Sequence, residues 1–108
     1  MEFRQLQHFV AIVETGSISA AARHLYLAQP AISASIKKLE NELNMPLLHR
    51  RDRGVSLTEA GEKFLLHAKQ ILKQTKDAKL AMQAIEGLDQ GEVEIAVPPM
   101  LGSYFFPP

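Results

Sequence analysis

The chain has 108 residues, 46% of them apolar, which is enough for one packed domain with an appendage. Twelve basic and twelve acidic residues cancel to a formal net charge of zero, which argues against a protein that holds nucleic acid by bulk charge alone. There is no cysteine, so a disulfide framework and a thiolate metal site are both excluded, and a reducing compartment, the cytoplasm, is the expected location.

The N-terminal "MEFRQLQHFVAIVE" puts charges among its apolar residues and lacks the unbroken apolar core of a signal peptide. No apolar run approaches the length of a membrane span, and no membrane partner is expected. Phe3, Leu6, Phe9, Val10 and Val13 recur at three- and four-residue steps, which predicts a helix with one buried stripe. Gly16 ends it, and Ser17 stands where its hydroxyl can cap a second helix. That helix is short, with Ile18, Ala21, Ala22 and Leu25 facing inward and the two alanines allowing a neighbour to come close.

Tyr26, Leu27 and Ala28 make a tight turn into a third helix, "AQPAISASIKKLE" and onward, which closes near Asn44. Pro46 prevents its continuation. In "LLHRRDRGVSL", Asp52, Arg53 and Gly54 supply turn chemistry between Leu47-Leu48 and Val55-Leu57, which predicts a short β-hairpin. Thr58 can cap the next helix, with Glu59 favourable in its first turn. Phe64, Ala68, Ile71, Thr75, Ala78, Met82 and Ile85 then repeat in steps of four and three, an a/d seam that predicts a long dimerisation helix. The seam could bury itself against the preceding domain, but its last two heptads extend too far for that. Gly87 and Gly91 bracket a break. Val93, Ile95 and Val97 alternate with other residues as one unpaired strand, and an apolar, proline-rich stub follows. The chain is therefore expected to be a fragment cut just inside a second domain.

These elements predict a mainly α fold: a winged helix-turn-helix of three helices and a short hairpin wing over 1–58, and a long linker helix over 59–88. A hinge and the truncated start of another domain would fill 89–108. The second helix of a helix-turn-helix pair, here the third of the chain, enters a DNA major groove. With Ile32 at zero and 100° per residue, Ile36, Leu39 and Leu43 fall within about 40° of it. Pro30, Ala34, Lys37 and Lys38 lie on the far side, with Gln29 and Ser33 on the flank. Short side chains there would let the helix approach base edges. Gln29 offers the amide pair that bridges adenine, and a helix N-terminus favours phosphate.

Charge follows the same division. Residues 1–57 hold seven Lys or Arg against five acids, whereas 58–108 hold five against seven. Plainer roles compete for several residues. Pro30 alone is a helix starter, the Lys37-Lys38 pair is also a solvated face, and Arg50 is read as tying the wing to a helix. Arg51 and Arg53 are not needed for folding, and Arg53 is better read as a DNA contact. His8, His24, His49 and His67 show no metal-ligand spacing. No serine sits in a nucleophile turn and no glycine loop could cradle phosphate, so an enzyme is not expected.

The stretch "FRQLQHFVAIVETGSISAAARHLYLAQPAISASIKKLENELNMPLLHRRDRGVSLTEAGEKFL" resembles the N-terminal domain of LysR-type bacterial transcriptional regulators, and the resemblance covers the whole chain. It rests on Ala21-Ala22, Leu25, Gln29-Pro30-Ala31, Ser33, Ile36, Leu39-Glu40, Leu43, Arg50 and Leu57-Thr58-Glu59-Ala60-Gly61. The resemblance implies a winged helix-turn-helix, a linker helix that pairs with a dimer partner, and an effector domain beginning with a strand such as "GEVEIAVPP". It also implies a tetramer and a small-molecule inducer for the full-length protein, with no cofactor in this portion.

Gln29, Pro30 and Ser33 match the family's groove-facing residues, and Ala34 is placed with them. Arg53 matches the arginine that enters the minor groove, and Ser17, Lys37, Lys38 and Arg51 are assigned to phosphates. Three positions depart from the family. Ala28 replaces a common serine and so removes a cap hydroxyl, Ala34 stands where a long polar or basic residue is frequent, and Leu48 replaces a frequent phenylalanine. The reading is a sequence-specific duplex-DNA-binding domain that acts as a dimer. The alternative is a winged-helix module for protein–protein contact, which the balanced net charge keeps open.

Overall fold

A computed structural model describes residues 1–89. Its elements are α1 (Phe3–Thr15), α2 (Ile18–Leu25), α3 (Gln29–Leu43), β1 (Leu48–Arg51), β2 (Gly54–Leu57) and α4 (Glu59–Asp89). The strand expected at Val93–Val97 and the tail at 98–108 lie outside the described residues.

The helix ends fall where local chemistry puts them. Gln5 accepts from the Glu2 N–H at 2.8 Å ahead of α1. At its far end Gly16 takes a left-handed φ of 92° and donates to the Ile12 carbonyl at 2.8 Å. The Ser17 hydroxyl accepts from the Ala20 N–H at 3.0 Å, capping α2. Tyr26 and Asn44 close α2 and α3, both in the left-handed region. At the start of α3, Ala28 provides no side-chain cap.

The three helices pack on one another around Phe9, Ile12, Ile32, Ile36 and Leu39, all fully enclosed, with Leu47 sealing the core from the wing side. Ala21 and Ala22 are buried in this core, as their small size allows. β1 and β2 pair antiparallel, with Leu48 opposite Leu57 and Arg51 opposite Gly54.

Three sets of hydrogen bonds fix the wing. Glu40 Oε2 on α3 accepts from the N–H groups of Leu47 at 2.7 Å and Leu48 at 3.1 Å. The Val55 N–H donates to the Gly16 carbonyl at 3.2 Å. Thr58 Oγ1 donates to the Pro46 carbonyl at 2.8 Å and accepts from the Gly61 N–H at 2.9 Å, capping α4. Two glycines permit these approaches. Gly54 has φ 113°, and a Cβ on it would lie 2.7 Å from the Gly16 carbonyl oxygen. A Cβ on Gly61 would collide with the Leu47 carbonyl.

The first compact unit runs from Met1 to Lys73, well past the expected boundary at 58. The reason is packing. The Phe64 ring meets Phe9 edge-on, with centroids 5.5 Å apart and planes at 66°, and Ala68 is fully buried. Leu65 and Leu72 pack partly buried against the same core. Phe64 and Ala68, expected to open the dimer seam, thus face their own protomer's core. Apolar spacing marks a buried stripe without saying which surface covers it. The second unit begins at Gln74. Within it Ala78, Met82 and Ile85 are exposed and Thr75 is half-buried. α4 runs two residues beyond Gly87. Among the described residues, no helix is long and apolar enough to cross a membrane.

Candidate nucleic-acid interface

An open cleft of about 530 Å³ lies where the N-termini of α2 and α3 meet the wing. Ser17, Ser19, Gln29 and Ser33 line one side, and Arg50, Arg51, Asp52 and Arg53 line the other. The fold has to bring them together. Ser17 and Gln29 stand at the starts of their helices, and the α2–α3 turn sets those starts side by side. The Gly16–Val55 bond then draws the hairpin up against the α1–α2 corner.

Inside the cleft, Ser19 Oγ donates to Gln29 Oε1 at 3.3 Å, and Arg50 Nη1 donates to Ser33 Oγ at 3.0 Å. Arg51 Nε donates to Ser56 Oγ at 3.1 Å, which steadies that side chain along the hairpin. None of the three wing arginines forms an ion pair among the described residues. Three guanidinium charges against the single Asp52 carboxylate leave this edge positive, although the whole chain is neutral.

The structure sorts the expected site residues into two groups. Ser17, Gln29, Ser33, Arg51 and Arg53 share the cleft, with Gln29, Arg51 and Arg53 exposed and Ser17 and Ser33 half-buried. Pro30, Ala34, Lys37 and Lys38 are exposed on α3 but do not line it. Lys37 instead borders a shallow depression with Glu40, Asn41, Asn44, Met45 and Pro46. Arg50 does tie the wing to a helix, and the atom it holds is on the groove-facing Ser33. Sequence reading left out Ser19, whose partner is ten residues away. It also passed over Leu66 and Leu80, exposed apolar residues of α4 that lie off the expected seam.

His8 of α1 is buried and shares a 2.7 Å hydrogen bond with Ser35 of α3. Burial lowers the His8 pKa below the ordinary 6.5, and the nearby Arg4 charge acts in the same direction. The His8–Ser35 hydrogen bond thus links α1 to α3.

Residues 3–62 match the family model described as bacterial regulatory helix-turn-helix protein, lysR family. The chain belongs to the LysR family. The matched stretch covers α1 to α3, the wing and the first turn of α4, so the cleft lies wholly inside it. Among relatives in the family, the nitrogen assimilation regulatory protein nac of Escherichia coli (strain K12) is 44% identical over 99 residues, 92% of this chain and 32% of its own. The HTH-type transcriptional regulator ClcR of Pseudomonas putida is 43% identical over 96 residues, 89% of this chain and 33% of its own. The chain therefore spans about a third of the length of these curated relatives.

Solved structures of the family agree in fold. A CbnR_DBD-DNA complex is 41% identical with a TM-score of 0.75, covering 80% of this chain and 99% of that one. A BenM_DBD/catB site 1 DNA complex is 38% identical with a TM-score of 0.77, covering 80% and 97%. These neighbours share the winged helix-turn-helix of four helices and a two-stranded hairpin.

Proposed function

We propose that this chain is the sequence-specific duplex-DNA-binding part of a LysR-type transcriptional regulator. One observation carries the reading: Gln29 and Ser33 of α3 open into the same cleft as Arg51 and Arg53 of the wing. α3 enters the major groove at its N-terminal end, with Gln29, Pro30, Ser33 and Ala34 toward base edges. Arg53 at the wing tip reaches the adjacent minor groove, and Ser17, Lys37, Lys38 and Arg51 meet phosphates. The DNA complexes among the structural neighbours support this placement.

The active species is a dimer. Phe64 and Ala68 form the end of the a/d seam that also packs on the core, and the pairing surface of α4 runs on through Ile71, Thr75, Ala78, Met82 and Ile85. Met82 and Ile85 are 62% and 52% exposed, an arrangement that favours burial against a second copy. The dimer sets the spacing of half-sites. The full-length protein is a cytoplasmic tetramer that answers a small-molecule inducer and carries out no catalysis; this portion needs no cofactor. The names of the curated relatives support the regulatory role.

The test is salt dependence of binding to duplexes selected from a random pool. Each neutralised phosphate lowers log affinity by about 0.9 per log unit of salt. Flat affinity across salt, or binding to polypeptide with no duplex retained, would instead favour a protein–protein module.

A further inference from the structure

Both polar side chains that α3 presents to the cleft are held by a neighbour on another element, and both are held by the acceptor atom. Ser19 Oγ on α2 donates to Gln29 Oε1 at 3.3 Å, and Arg50 Nη1 on β1 donates to Ser33 Oγ at 3.0 Å. Among the described residues, no protein acceptor takes the Gln29 amide hydrogens or the Ser33 hydroxyl hydrogen. An amide with its oxygen turned to Ser19 has its NH2 edge turned away. A hydroxyl oxygen engaged by a guanidinium directs its own hydrogen elsewhere, and arginine, which has donors only, cannot exchange roles with it. An unrestrained serine reads donors and acceptors alike, and an unrestrained glutamine bridges adenine with one of each.

We propose that Ser19 and Arg50 are positioning residues for base specificity, which make Gln29 and Ser33 a donor-presenting pair. The cleft then selects acceptor edges in the major groove, N7 and O6 of guanine, N7 of adenine or O4 of thymine. The exocyclic amino groups of adenine and cytosine meet no acceptor from this pair. The inference rests on the DNA-binding reading above and deepens it. Neither Ser19 nor Arg50 needs to touch a base to act in this way.

The test uses the full chain and duplexes selected from a random pool. Positions under the pair are those where Gln29→Ala or Ser33→Ala relaxes base preference. At these positions, 7-deazaguanine deletes the N7 acceptor, whereas purine in place of adenine deletes the N6 donor and keeps N7. The expected result is a loss of about 5- to 150-fold with 7-deazaguanine and a change within about twofold with purine. Ser19→Ala, a change to a better helix former, frees the Gln29 amide. In that variant the purine substitution is expected to cost about fivefold or more.

A wild-type loss with purine as large as that with 7-deazaguanine overturns the inference. So does a Ser19→Ala variant whose analogue profile matches the wild type. Either result leaves duplex binding standing, whereas a chain that retains no selected duplex removes the DNA-binding reading and this inference together.

Discussion

Glu40 Oε2 receives the backbone N–H groups of both Leu47 and Leu48, at 2.7 and 3.1 Å. One carboxylate on the last turns of α3 thereby fixes where the wing begins, seven and eight residues later. Replacing it by alanine leaves two part-buried donors without an acceptor. Glu40→Ala is expected to cost about 2–3 kcal/mol in urea unfolding, and Glu40→Gln, which keeps an amide oxygen, about half as much. Equal losses for the two variants would show that the charge, not the hydrogen bonding, matters here.

Gly54 and Gly61 test the two close approaches that hold the wing. Gly54→Ala places a methyl against the Gly16 carbonyl at a φ of 113°, with an expected loss of about 1–3 kcal/mol. Gly61→Ala drives a methyl into the Leu47 carbonyl, and a loss of similar size, about 1–3 kcal/mol, is expected. At Gly16, also left-handed, an added Cβ meets nothing within 4 Å. Gly16→Ala should therefore show the backbone cost alone and be milder than Gly54→Ala.

α3 begins on Ala28 with no side-chain cap. Ala28→Ser supplies a hydroxyl for an orphan N–H in the first turn and is expected to stabilise by about 0.5–2 kcal/mol. Thermal unfolding of the two proteins side by side reads the shift. An unchanged midpoint would mean that the first turn already finds its partners in water.

His8 makes stability depend on pH. Its folded pKa is lowered, so the folded state disfavours the charged ring while the unfolded chain protonates near 6.5. The contribution is fully present above pH 6.5 and is lost as the pH falls below it towards the folded value. His8→Gln should flatten the stability–pH curve in that acidic window, measured by denaturant midpoint. Parallel curves for variant and parent would rule out His8 as the source.

Arg53 is proposed to reach the minor groove. Arg53→Ala should weaken binding most at A/T-rich flanks, where that groove is narrow and its potential most negative. Competition between duplexes that differ only in their flanks gives the profile, and a uniform drop would place Arg53 on phosphate alone.

Much of the fold is legible in single residues with strong local preferences. Gly16, Ser17, Asn44 and Thr58 mark helix ends because their conformations and hydrogen bonds are short-range. The buried side of α3 follows from its period, and Ile32, Ile36 and Leu39 are enclosed as expected. What periodicity does not resolve is the identity of the covering surface. Phe64 and Ala68 fit a dimer seam and a domain core equally well; in the fold the Phe64 ring meets Phe9 and Ala68 is buried. The cleft was half legible: Gln29, Ser33 and Arg53 stand out by residue type and position. The bonds from Ser19 and Arg50 link residues ten and seventeen apart and exist only once three elements have met.

Because Phe64 and Ala68 plug the core, the root of α4 cannot be trimmed without opening Phe9 to water. A truncation at Thr58 should yield an unstable, aggregation-prone remnant, whereas one ending after Lys73 keeps every enclosed side chain of the described residues. Grafts meant to exchange the DNA reader between relatives are best spliced beyond that point, since a junction at the hairpin would part a plug from its socket.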